Sequence, residues 1–206
     1  ATFPARVYDR WTQSFMQKNP ATRVSYAPTG SGEGIRQATA RAVQFGGTDT
    51  PLSAKVLADK GLVQIPMLVG GLVPVVNLPG VASNRMVLTG EVLADIMAER
   101  ITFWDHERIA ALNPGLNLPH RAIVRVVRED ASGTSEAFTR YLAASSPVFQ
   151  AAVAVSQKPS WSGKVVAAPG NAGMAQVVLA QPLDLAGPAA VARLGKGFDL
   201  VVIGPE

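Results

Sequence analysis

An α/β fold with a parallel sheet is predicted for this 206-residue chain by three observations. Short apolar, β-branched runs alternate with amphipathic stretches at the spacing of strand–helix units. Glycine and proline clusters at residues 28–34, 78–80 and 113–115 punctuate the alternation. Hydrophobic residues make up 48% and charged residues 17%, at a mean hydropathy of +0.18. That composition excludes a disordered chain, and the length suits one large domain or two small lobes.

Taken in order, Val7, Trp11 and Phe15 recur every fourth residue, so a helix runs from Pro4 to about Lys18 with those three on its buried face. Pro4 fits the first turn, where no amide donor is needed, and Asn19-Pro20 ends the helix. Residues 23–27 read as a short strand, 28–34 as a tight loop, and a second helix continues to about Val43. Residues 44–47 are another short strand before Thr48-Asp49-Thr50-Pro51 and a third helix. Residues 63–77 supply long strand material bent at Gly70-Gly71, and no apolar run reaches the ~18–20 residues of a bilayer span.

A second region begins after Leu78-Pro79-Gly80. Thr89 N-caps a helix that buries Val92, Leu93, Ile96 and Met97, and Trp104-Asp105 opens another that Asn113-Pro114-Gly115 stops. Residues 122–127 form a β-branched strand running into Arg128-Glu129-Asp130-Ala131-Ser132-Gly133-Thr134-Ser135. A helix with Phe138, Tyr141 and Leu142 on one side follows, then a helix around 173–179, an alanine-rich stretch, and an apolar strand at 200–203.

Zero cysteines remove disulfides, thiolate metal sites and cysteine nucleophiles, and suit an exported bacterial protein. Two histidines, His106 and His120, leave few bases or ligands for Ser-His or metal chemistry; both read as surface residues, and Trp104 and Trp161 as packing anchors. Nineteen Lys+Arg against fifteen Asp+Glu give +4, a mild preference for anions. The basic residues are scattered and aromatics are only 6%, which argues against a nucleic-acid groove. Residues 1–4 lack the basic and apolar regions of a signal peptide, so the chain reads as mature or trimmed.

Three loops repeat one device, small hydroxyl or glycine residues at a helix start: Thr2-Phe3-Pro4, Thr29-Gly30-Ser31-Gly32 and Ser132-Gly133-Thr134-Ser135. Each offers unpaired amides, a positive dipole end and hydroxyl donors, which suit a small oxyanion. The same residues are ordinary caps, so a single such loop decides nothing; three, with Arg128 four residues before Ser132, favour a site. None ends in Gly-Lys-Ser/Thr, Ile35 stands where a dinucleotide loop needs its third glycine, and Ser132 lies in no Gly-x-Ser-x-Gly elbow. Asp49 reads two ways, as a hydrogen-bond acceptor inside the site or as a cap for the Pro51 helix.

The stretches ATFPARVYDRW, SYAPTGSGEGIRQ, FGGTDTPLS, IPMLVGGLVPVVNLPG, LTGEVLADIMAERITFWDHERIAALNPGLNLP and VVREDASGTSEAFTRYL make the chain resemble the periplasmic phosphate-binding proteins of ABC-type phosphate importers, the PstS-like family. Trp161 and Gly170-Asn171-x-Gly173 continue the likeness more weakly. The resemblance implies a type II periplasmic-binding-protein-like α/β fold of two lobes, each a central sheet flanked by helices. It implies a first lobe over 1–77, a second over 78–190, and a returning strand within 191–206. It implies phosphate ligands at Thr2, Phe3, Ser31, Asp49, Arg128, Ser132, Gly133 and Thr134, with Asp130 fixing the arginine's fork. Gly32 stands where a second serine is often seen, a change expected to cost little.

The implied protein is a monomer outside the cytoplasm, periplasmic or surface-held. It needs no cofactor, metal or nucleic acid, and delivers inorganic phosphate to the membrane subunits of an ABC importer. Family members carry a strand before the Thr2-Phe3-Pro4 element and are longer at the C-terminus, so the chain reads as shortened at both ends. A phosphate-sensing or structural module of a larger protein is the alternative, and a phosphatase-like enzyme ranks third.

Overall fold

In the computed structural model, which describes residues 1–180 and 199–205, four strands form one mixed sheet in the order β1-β4-β2-β3. These are β1 (Leu72–Val76), β2 (Ile123–Arg128), β3 (Val166–Ala168) and β4 (Asp199–Pro205). β4 runs parallel to β1, pairing Leu72 with Asp199 through Val76 with Ile203. It runs antiparallel to β2, pairing Ile123 with Pro205 through Val126 with Val202. β3 is parallel to β2. The all-parallel expectation is therefore corrected: β4 enters between β1 and β2, and those two strands run in opposite directions. The candidate returning strand at 200–203 lies inside β4, while the alanine-rich stretch and residues 181–198 lie outside the described residues.

The helices are α1 (Ala5–Lys18), α2 (Ser31–Thr39), α3 (Ala54–Lys60), α4 (Gly90–Met97), α5 (Glu107–Leu112), α6 (Gly133–Ser145), α7 (Pro147–Ala152) and α8 (Gly170–Ala180). Because successive strand residues face opposite ways, Val127 joins the cluster of Val92, Leu93, Ile96 and Met97 from α4 with Phe138 and Leu142 from α6. Its neighbour Val126 instead joins Met174, Ala175 and Val178 of α8 on the other face. The sheet is thus covered on both sides, and Trp104, Ile109, Phe149 and Val153 complete the larger cluster. Thr89 accepts from the Val92 amide at 3.3 Å and fixes the start of α4 as its sequence predicts. Ser146-Pro147 starts α7 in the same way, with the Ser146 hydroxyl taking the Phe149 amide. Of the three residues expected on one side of α6, Phe138 and Leu142 are buried and Tyr141 is 52% exposed.

The N-terminal part departs furthest from its pattern. Among the described residues, 23–27 and 44–47 run beside no partner strand and form no ladder, and of the long stretch 63–77 only 72–76 pairs. Val7, Trp11 and Phe15 lie on the outer side of α1, because the helix turns Tyr8 inward to pack its ring at 4.9 Å from Tyr26. Val63, Ile65, Met67 and Val69 alternate in the same exposed way. α2 ends at Thr39, short of Val43, where Arg41 adopts a left-handed φ of 56°. Among the described residues no helix is long and apolar enough to cross a membrane.

α6 carries the Ser132–Ser135 loop, so its anchorage matters most for the site. Phe138 is 2% exposed in the main cluster. Phe138→Ala is expected to lower the unfolding free energy by about 3–5 kcal/mol, measured by denaturant titration, through lost burial and the cavity left behind. A loss within about 1 kcal/mol would mean that α6 is held by other contacts.

Candidate anion-binding site

β2 ends in Arg128, whose side chain is almost wholly buried, and a guanidinium so placed needs partners for its donors. Asp130 supplies two: Nε donates to Oδ1 at 2.8 Å and Nη2 donates to Oδ2. Asn171, in the first turn of α8, accepts from Nη1 at 2.7 Å. The Gly170 amide donates to Asp130 Oδ1 at 2.9 Å, so the β3–α8 turn orients both the carboxylate and the arginine. Three of the five guanidinium N–H bonds are engaged this way, leaving one on each terminal nitrogen.

The loop after β2 wraps Asp130 and opens α6. Ser132 is the N-cap; its hydroxyl accepts from the Ser135 amide at 3.4 Å, and its own amide donates to the Gln157 carbonyl at 2.9 Å. The Ser132 amide is therefore engaged, and what it can still offer a ligand is the hydroxyl proton. Gly133 and Thr134 begin the helix, where amides lack intrahelical acceptors. Thr134 Oγ1 is buried and has no hydrogen-bond partner among the described residues.

The N-terminal part meets this loop face to face. Gly30 takes φ 87°, which frees it to bend the chain into α2, and an added Cβ there would sit 2.9 Å from Asp130 Oδ2. Ser31 follows, buried, with its hydroxyl donating to Asp49 Oδ2 and accepting from the Asp49 amide, both at 3.1 Å. Gly133 lies so close that a Cβ would stand 2.6 Å from Ser31 Oγ and 2.7 Å from Asp49 Cβ. The structure thus brings Ser31, Asp49 and Gly133 together, and Gly30 beside Asp130 and Arg128.

Asp49 does not cap the helix after Pro51. Ser53 does, accepting from the Val56 amide at 3.3 Å, and that reading of Asp49 falls away. Gly32 also differs from expectation: its amide donates to the Ala131 carbonyl at 3.3 Å, and a Cβ would meet that of Ala131 at 2.6 Å. A serine there would have to push the two loops apart. Phe3 lines an open cavity of about 1100 Å³ together with Asp49, Gly133 and Thr134. That cavity extends along residues 43–52 and 61–72, and Arg128 does not line it. Thr2 is half-buried, and among the described residues its hydrogen bond is a backbone turn, its carbonyl taking the Ala5 amide.

Sequence reasoning missed Asn171 as the arginine's second partner, although Gly170-Asn171-x-Gly173 stood among the weaker stretches of the resemblance, and it placed the helix start near 173 where α8 begins at Gly170. It also missed Thr50, whose hydroxyl donates to Glu136 Oε2 and accepts from Gln157 Nε2, each at 2.9 Å. The field of the site is mixed in sign. Burial raises the Tyr8 phenol, and the nearby Asp49 charge adds to the rise; Tyr26 is raised for the same two reasons and by Tyr8. Burial pushes the Asp130 carboxyl up, but the Arg128 and Gly170 hydrogen bonds outweigh it and hold the group below the usual carboxylate range. Among the described residues no cluster of His, Cys, Asp and Glu could hold a metal ion.

Two hydroxyl-bearing helix starts face each other beside a buried arginine on an α/β scaffold. The chain belongs to the PBP superfamily, whose domain model matches residues 1–198. It is 40% identical over 182 residues to the phosphate-binding protein PstS of Pasteurella multocida, covering 86% of this chain and 51% of that one. Against the PstS of Methanocaldococcus jannaschii it is 33% identical over 198 residues, covering 90% and 51%. The chain thus spans about half the length of these relatives. A crystal structure from Clostridium perfringens, assigned to phosphate ABC transport and holding phosphate, superposes at a TM-score of 0.59 with 16% identity, covering 100% of this chain and 67% of that one. At that identity it supports the fold, which is the binding-protein fold expected from the sequence.

Asp130 ties stability to pH. Its folded-state pKa is depressed, so the stabilisation is present above the ordinary carboxylate pKa near 3.9 and is lost as pH falls through the lower, folded value. The melting temperature of the native chain is expected to exceed that of Asp130→Asn near neutral pH, with the gap closing as pH drops below about 4. A gap independent of pH would show that the ion pair does not carry it.

Proposed function

We propose that the chain binds one inorganic phosphate between its two anion loops, as the solute-binding part of an ABC phosphate uptake system. The observation that carries this reading is the buried Arg128 fork, with two N–H bonds left over by Asp130 and Asn171, sharing a small cavity with the Thr134 hydroxyl, which has no partner among the described residues. Gly133, Thr134, Ser132 and Ser31 add amides and hydroxyls. Phe3, at the start of α1, closes the cavity side, and Thr2 belongs to the same helix-start turn. The names of the relatives support phosphate as the ligand.

Asp49 supplies the discrimination. A carboxylate repels an anion unless the ligand donates a proton to it. Phosphate carries at least one proton at neutral pH and sulfate carries none, so sulfate leaves Asp49 facing it with no hydrogen bond between them. Binding rather than hydrolysis suits the surroundings. His106 caps α5 and His120 pairs with Asp105 and stacks on Phe103, so neither serves Ser31, Ser132 or Thr134 as a base. In this reading the protein works outside the cytoplasm as a monomer, in the periplasm or at the cell surface. It hands phosphate to importer membrane subunits, without cofactor or nucleic acid.

Arg128→Ala is expected to weaken phosphate binding by about 2–5 kcal/mol in calorimetric titration, because a desolvated charged partner is lost and Asp130 is left unpaired. Arg128→Lys should recover only part, lacking the planar fork. Affinity near the native value in a folded alanine variant would make the arginine structural only.

Asp49→Asn keeps the shape, removes the charge and can present a donor. The preference for phosphate over sulfate is expected to fall by at least about tenfold, or roughly 1.4 kcal/mol, in competition titrations. An unchanged ratio would restrict Asp49 to holding Ser31.

A further inference from the structure

The loop that carries Asp49 is tied to the second anion loop by one hydroxyl. Thr50 is 7% exposed, and its backbone is pinned from its own side of the cleft: its carbonyl accepts from Gln64 Nε2 at 2.9 Å, and its amide donates to Thr48 Oγ1 at 3.0 Å. Gln64 also takes the Leu52 amide at 2.9 Å, so the loop has little freedom of its own. The Thr50 hydroxyl points the other way. It donates to Glu136 on α6 and accepts from Gln157 on the segment after α7. Its one donor and one of its two acceptor sites are both engaged across the cleft.

Both partners are themselves built into the second loop. Glu136 also accepts from Arg140 at 2.9 Å, one turn along α6. The Gln157 carbonyl holds the Ser132 amide at 2.9 Å, and Ser156 beside it donates its amide to Thr139 Oγ1 at 3.3 Å. A single hydroxyl therefore links Asp49's neighbour to the α6 start on one branch and to the Ser132 cap on the other. A further hydrogen bond between the two anion loops runs from the Gly32 amide to the Ala131 carbonyl and is longer, at 3.3 Å.

We propose that Thr50 is a positioning residue that latches the Asp49 loop to the Ser132–Thr134 loop, and so sets how long an enclosed anion is retained. The proposal rests on the phosphate-binding reading of the site. Thr50 acts through Glu136 and Gln157, without touching the ligand. A latch that holds the two loops together around an anion acts on escape, so its loss speeds dissociation and leaves anion choice nearly unchanged.

The test is stopped-flow phosphate release from the native chain, Thr50→Val and Thr50→Ser, with melting curves to verify folding. Val keeps the shape without the hydroxyl, and Ser keeps the hydroxyl. Release is expected to be at least about tenfold faster in Thr50→Val, equivalent to roughly 1.4 kcal/mol, with Thr50→Ser close to native and the phosphate-to-sulfate ratio unchanged in both. Release from Thr50→Val within about twofold of native, or equal acceleration in both variants, overturns the latch.

If the native chain takes up no phosphate, the binding reading fails, and the latch is then judged without ligand. The chain has no cysteine, so Lys55→Cys on α3 and Val148→Cys on α7, both exposed, provide two unique spin-label sites. The label-to-label distance distribution is expected to broaden to longer values with Thr50→Val and to stay native with Thr50→Ser. Identical distributions overturn the proposal.

Discussion

Arg128 is a cation held almost out of reach of water at the end of the central strand, and the cost of leaving it there organises everything around it. An ion so buried is tolerable only when its donors are met. Asp130 meets two, Asn171 a third, and the Gly170 amide holds Asp130 in turn. Those partners come from the loop after β2 and from the β3–α8 turn, so the same bonds that stabilise the charge join the ends of the parallel strands β2 and β3. Gly30 can approach only because it carries no side chain to meet Asp130. Removing the ion pair would therefore disturb the register of three loops at once, beyond the loss of one contact.

The formal charge of that cluster is against a simple electrostatic trap. Asp130 neutralises Arg128, and Asp49 adds a further negative charge, so the three side chains together are net negative. An anion held here depends on aimed dipoles: helix-start amides, hydroxyls and the two remaining guanidinium N–H bonds. Dipoles at contact distance choose by shape and proton count, whereas net charge attracts any anion. The mild +4 of the whole chain can assist encounter without setting choice.

What was legible in the sequence followed from local rules. Thr89 and Ser132 cap the helices they precede, Val126 and Val127 alternate between the two faces of β2, and Arg128 through Thr134 form a compact loop whose chemistry is visible in the residue types. What was not legible depended on partners distant in sequence. Val7, Trp11 and Phe15 have a faultless helical period, yet exposure is decided by what lies over a face, and the period cannot report that. Residues 23–27 and 44–47 have strand composition but, among the described residues, no neighbour to pair with. β4 finds its place between β1 and β2 from the far end of the chain, giving a mixed sheet that alternating units alone do not foretell. Asn171 is separated from Arg128 by 43 positions, and Gln157 from Thr50 by 107, so neither bond has a local signature.

The account's central claim is that the aimed donors, with Asp49 reading a ligand proton, make a phosphate site and exclude a general anion site. The most direct measurement is calorimetric titration at neutral pH of the native chain, freed of carried phosphate by unfolding and refolding, with phosphate and separately with sulfate. The account requires one phosphate per chain, and sulfate weaker by about a hundredfold or more. Equal affinity for the two anions, or heats of dilution alone for phosphate, would contradict it.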